Sequence, residues 1–85
     1  MNNPNSVSNA ANIKFVHVSS SNLESIGYAI TSRQLFVKFN NNLPPLCFEN
    51  VPGFRYEGLL AAPRKDAYYK TFIENQFLAS QVKLA

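Results

Sequence analysis

The stretch Glu24-Ser25-Ile26-Gly27-Tyr28-Ala29-Ile30-Thr31-Ser32-Arg33-Gln34-Leu35-Phe36-Val37-Lys38-Phe39 decides the fold class. Ile26, Tyr28 and Ile30 share one face of an extended chain. Leu35, Val37 and Phe39 do the same after the Thr31-Ser32-Arg33 connection. Alternation with a period of two, built from β-branched and aromatic residues, marks half-buried strands. Two such runs joined by a short connection predict an antiparallel hairpin, although the Asn-Gly of the tightest turns is missing.

Outward from this hairpin the pattern continues. Ile13 to Val18 also alternates, and Ser19-Ser20-Ser21-Asn22 breaks it, because hydroxyl and amide side chains compete for backbone groups. Asn40-Asn41-Asn42 predicts a turn after Phe39. Beyond Pro44-Pro45, Leu46, Phe48 and Asn50 alternate against Cys47, Glu49 and Val51. The period then changes. Pro52 suits a first helical turn, and Tyr56, Leu59 and Leu60 recur at helical spacing, interrupted by Gly58. Pro63 ends this helix, and Asp66 is the expected N-cap of a second. Tyr69, Phe72, Ile73, Gln76 and Phe77 form that helix's apolar stripe, and Leu78 to Ala85 continue it weakly.

Strands followed by helices predict an α+β domain: a three- to four-stranded antiparallel sheet followed by two helices packed on one face. The expected organisation is an Asn/Ser-rich disordered tail over 1–12, one α+β domain over 13–78, and a C-terminal tail over 79–85 that can extend the helix.

The order of short motifs resembles the KTSC domain family. Val18-Ser19-Ser20-Ser21-Asn22-Leu23-Glu24-Ser25-Ile26-Gly27-Tyr28 is similar to its opening, and Leu35-Phe36-Val37-Lys38-Phe39 to its next strand. Val51-Pro52, Tyr56-Glu57-Gly58-Leu59-Leu60-Ala61-Ala62, Lys65, Tyr68-Tyr69, Ile73 and Phe77 extend the likeness over about residues 18–77. Two departures stand out. Leu46-Cys47-Phe48 lies where the family carries Tyr-x-Tyr, and Arg64 and Asp66 lie where it carries Ser and Gly. The resemblance implies a stand-alone protein related to an appendage of some lysyl-tRNA synthetases, with RNA as a partner by association. It implies no catalytic residue.

Composition closes off several classes. The 85 residues include one cysteine, so no disulfide forms within the chain. One Cys and one His cannot supply a zinc finger's four ligands. No apolar run approaches the roughly 18 residues of a membrane span. The first twelve residues lack the pattern of a signal peptide, so a cytoplasmic location is expected.

No enzyme, cofactor or metal is expected. His17, Cys47 and Asp66 compose a Cys-His-Asp set only if folding brings thiol and imidazole within hydrogen-bond reach. A small buried cysteine is the simpler reading. Gly27, Gly53 and Gly58 stand too far apart for a phosphate loop.

The net charge of +3 permits a polyanionic partner. Phe54-Arg55-Tyr56 and Arg64-Lys65-Asp66-Ala67-Tyr68-Tyr69-Lys70 interleave cations with aromatics, as stacking on bases and neutralising phosphates require. Arg55, Arg64, Lys65, Tyr68 and Lys70 are therefore the candidate nucleic-acid-binding residues, with Tyr68 pointing outward. The alternative is a protein partner or homodimer, using a sheet edge or an apolar patch that includes Phe36, Leu46 and Phe48. Four cations on one face favour nucleic acid, and an even spread favours protein.

Overall fold

The computed structural model describes residues 13–81. Strands β1 (Val16–His17), β2 (Leu23–Ala29), β3 (Gln34–Phe39) and β4 (Leu46–Phe48) precede helix α1 (Gly53–Ala61). Helix α2 (Lys65–Tyr68) runs on as a π-helical segment (Tyr69–Glu74), and strand β5 (Ala79–Gln81) comes last. The strands form one antiparallel sheet in the order β1-β2-β3-β4-β5. The tail expected over 1–12 lies outside the described residues.

The hairpin is the one its alternation predicts. Ile26 pairs with Val37 and Tyr28 with Leu35, while Leu35 and Val37 pair in turn with Phe48 and Leu46. These residues lie on one face, and Leu59, Tyr69 and Ile73 from the helical layer complete the core against them. Ile26, Leu35, Val37, Leu59 and Ile73 are fully buried, each worth at most about 1.5–3 kcal/mol of hydrophobic stabilisation.

The sheet has five strands, where the sequence predicts three or four. The additional one comes from the tail expected to extend the second helix. The helix stops at Glu74, and Gln76 and Phe77 turn their N–H groups back onto the Ile73 carbonyl. Ala79–Gln81 then runs along β4, pairing with Phe48, Cys47 and Leu46. Backbone groups on β4 that no other described strand would satisfy outweigh the weak helical pattern of these residues.

The opposite face is covered differently. Ile13 and Phe15 cross over Gly27, where a Cβ would lie 2.5 Å from Ile13 Cγ2, and the Phe15 ring meets Phe36 edge-on at 6.3 Å. Phe36 and Cys47 are buried there. The apolar patch expected from Phe36, Leu46 and Phe48 is therefore absent: Phe36 and Phe48 are buried on opposite faces and Leu46 is half-buried.

Local contacts shape the β2–β3 turn and the helical layer. Arg33 adopts φ 58° in the turn, donates its N–H to the Ala29 carbonyl at 2.8 Å and accepts one from Val51 at 2.9 Å. Gly58 leaves room for Tyr68, whose hydroxyl occupies the space a Cβ would take. Tyr68 consequently does not point outward as predicted. Its ring is held between α1 and Phe72, 4.8 Å away.

Candidate functional site

Antiparallel pairing of Leu23 with Phe39 brings the Ser19–Asn22 loop and the Asn40–Asn42 turn to the same end of the hairpin. Helix α2 starts beside them. Arg64 takes the N-cap position with no side-chain cap bond, and Asp66 sits inside the first turn rather than capping it. Serine hydroxyls compete successfully for its carboxylate. Ser20 Oγ donates to one oxygen, while Ser21 Oγ at 2.7 Å and Asn22 Nδ2 at 3.5 Å donate to the other. The Ser20 and then the Ser21 bonds hold the Asp66 carboxyl below its ordinary value, because both stabilise the charged form. Asn40 Nδ2 donates to the Ser20 and Ser21 carbonyls at 3.3 and 3.1 Å. Two loops and a helix start are thus stitched together.

Beside this junction lies a cleft of about 690 Å³. Leu23, Phe39, Leu46 and Tyr69 supply its apolar lining. Asn22, Asn40 and Asn41 line it from the loops, and Arg64, Asp66, Lys70 and Glu74 from α2 and its π-helical continuation. The wider π turn is a frequent feature of functional sites. Tyr69 meets Phe39 and Phe48 edge-on at 5.4 and 5.9 Å, and burial, with a smaller effect of Glu74, pushes its hydroxyl up to about 12. It is a neutral wall. A smaller hollow of about 280 Å³ lies next door, against Ser19, Ser20, Ser21 and Lys65.

The five candidate residues separate into two groups. Arg64 and Lys70 line the cleft together. Arg55, Lys65 and Tyr68 belong to the contact between the helices. The Arg55 guanidinium lies 4.5 Å over Phe72 and 5.1 Å over Phe54, and Lys65 Nζ donates to the Ala62 carbonyl at 2.8 Å, holding the end of α1. None of the other described cations lines the cleft, although Lys38 Nζ donates to the carbonyls of Phe39 and Asn41 at its rim. Lys38 pairs with Glu24 at 3.5 Å, and Lys14 and Arg33 line a third cavity beside β1. The cations do not gather on one face, and Asp66 and Glu74 share the cleft with Arg64 and Lys70.

The Cys-His-Asp combination is not assembled. His17 is on β1 and Cys47 on β4, with β2 and β3 between them. Three interstrand steps put them roughly 14 Å apart. Burial, and then the charge and hydrogen bond of Glu49 at 3.6 Å, push the Cys47 thiol up to about 12, which removes its nucleophilic form. Among the described residues no three His, Cys, Asp or Glu side chains converge as metal ligands, and no helix is long and apolar enough to cross a membrane.

Residues to which the sequence pattern assigns no site role complete the junction: Asn22, Asn40 and Asn41 line the cleft, and Ser20 and Ser21 hold Asp66 and line the neighbouring hollow. Ser20, Ser21, Asn22, Asn40 and Asn41 read as strand breakers and turn formers. Their signal is positional: two polar clusters flank one hairpin, so antiparallel pairing must bring them to the same end.

Comparison with known proteins agrees with this architecture. A search of curated proteins returned no match. Among solved structures, a KTSC domain protein of Yersinia pestis superposes with a TM-score of 0.78 at 25% sequence identity, over 84% of this chain and 99% of that one. The profile of the KTSC domain matches residues 19–77. Both comparisons name the domain alone and no synthetase, so the appendage relationship implied by the resemblance gains nothing from them. A profile match running from the serine loop to the end of the second helix, on a superimposable fold, places the chain in the KTSC domain family.

Proposed function

We propose that this domain is a non-enzymatic binding module that accepts a single unpaired nucleotide of RNA, or of another single-stranded nucleic acid, in the cleft between the hairpin end and α2. The observation that carries the reading is the composition of that cleft. Arg64 and Lys70 offer cations to a phosphate, the amide oxygens of Asn22 and Asn40 and the amide nitrogen of Asn41, left over from the bonds that hold the loops, offer acceptors and a donor to a base edge, and Phe39 and Leu46 offer apolar surface to a base. Its volume of about 690 Å³ is within the range of preformed small-ligand pockets.

The spread of the other described cations weighs toward a protein partner by the criterion set on the sequence, so the nucleic-acid reading rests on the cleft alone. The cleft supports contact at one nucleotide and not a strand tracked across the helices. With two phosphate contacts, affinity for single strands falls by about sevenfold between about 50 and about 200 mM salt.

The test is a fluorescence-anisotropy titration with short single-stranded RNA, a tRNA and duplex DNA. Single strands are expected to bind best. Arg64→Ala with Lys70→Ala should abolish the salt-dependent part, while Arg55→Ala and Lys65→Ala leave it. Absence of binding at the lowest salt overturns the proposal. Equal losses from all four substitutions would replace the cleft with a broader helical face.

A further inference from the structure

The β1 end of the sheet carries a second surface that the cleft does not use. Val16 and Ile30 are large apolar residues exposed there by 39% and 83%. Val16 and Ile30 border a cavity of about 620 Å³ walled by Tyr28 and Tyr56. Those two rings stack at 5.0 Å, and the Tyr28 hydroxyl donates to the Val51 carbonyl at 2.5 Å, so the wall is rigid. Lys14 and Arg33 bring positive charge to the cavity and Glu57 brings negative charge. Among the described residues, no strand pairs with the outer edge of β1.

A patch presented to itself across a two-fold axis must be self-complementary, each residue meeting its counterpart's partner in the other copy. This one has the required parts: apolar side chains to bury against each other, and both signs of charge on one rim. An open edge strand with exposed apolar residues is also a liability in a small domain unless something covers it.

We propose that the occupant is a second copy of this chain, docked β1 end to β1 end, with the Val16 and Ile30 pairs in contact and Glu57 of each copy facing Lys14 and Arg33 of the other.

Sedimentation velocity on the full chain, from about 10 μM to about 1 mM, tests this. The wild type should shift from monomer toward dimer as concentration rises. Ile30→Glu should remain monomeric throughout, and Glu57→Lys should weaken the dimer at least tenfold. Glu57→Lys combined with Lys14→Glu and Arg33→Glu should restore it. Thermal melts of each variant verify that the monomer still folds. A wild type that is monomeric across the range overturns the proposal, as does a dimer indifferent to both Ile30→Glu and Glu57→Lys. RNA titration of the same samples reports on the cleft separately, because none of these residues lines it.

Discussion

The hydroxyl of Ser20 donates a hydrogen bond to the carboxylate of Asp66, 46 residues further along the chain. This bond and its neighbour from Ser21 fasten the loop before β2 to the first turn of α2. The local rule that places an aspartate at a helix N-cap gives way here to a contact that only the tertiary fold supplies.

Asp66→Ala should destabilise the domain by about 1 kcal/mol, since charge-assisted bonds at a solvent-accessible site are partly screened. The folded carboxyl is held below its ordinary value of 3.8, so its contribution is present above that value and is lost as the pH falls through the lowered one. Urea unfolding of wild type and variant should therefore differ fully at neutral pH and converge in acid. A constant difference down to pH about 2 would show that the carboxylate's charge is not what the serines hold.

Gly58→Ala should destabilise by about 1–3 kcal/mol, although alanine favours a helix by about 1 kcal/mol over glycine. The added methyl meets the Tyr68 ring. In a Tyr68→Leu background the same substitution should become neutral or stabilising. A double-mutant cycle measured by denaturant unfolding checks the sign change.

Cys47 should alkylate slowly at neutral pH in the native state. Its thiol is pushed up to about 12 from 9.0, with burial the largest cause and Glu49 the next. Glu49→Gln should lower this value only in part, which a pH profile of iodoacetamide labelling measures. Because the folded value is raised, the stability linked to this thiol is complete below pH 9 and declines as the pH climbs toward 12. Rapid labelling of the folded wild type at pH about 7 would contradict the buried placement.

Arg33→Gly should stabilise folding slightly, by less than about 1 kcal/mol, because φ 58° costs a residue with a Cβ more than it costs glycine. The two hydrogen bonds at this position use backbone atoms and survive the change. Arg33→Val should destabilise by more. Melting temperatures of the pair decide whether the turn or the side chain governs this position.

The hairpin, β4 and the two helices were legible in the sequence because their periodicity is local. Tyr28 and Leu35 show their common face two residues at a time. Strand β5 was not legible. Ala79, Ser80 and Gln81 have no alternating apolar pattern, and they become a strand by pairing with β4, more than thirty residues earlier. Tyr68 shows the same limit at a site. Helical spacing places it beside Lys65 and Phe72, but the space left by Gly58 determines that it packs inward.

The sequence by itself determined the α+β class, the hairpin and its buried face, since side-chain direction follows from backbone geometry alone. Its two polar clusters also carried, unread, the location of the cleft. Only the tertiary structure decided which cations line it. Arg64 and Lys70 reach the cleft, whereas Arg55 and Lys65 are held within the helical layer by ring faces and a carbonyl. Those partners come from other elements, and no spacing within one element specifies them.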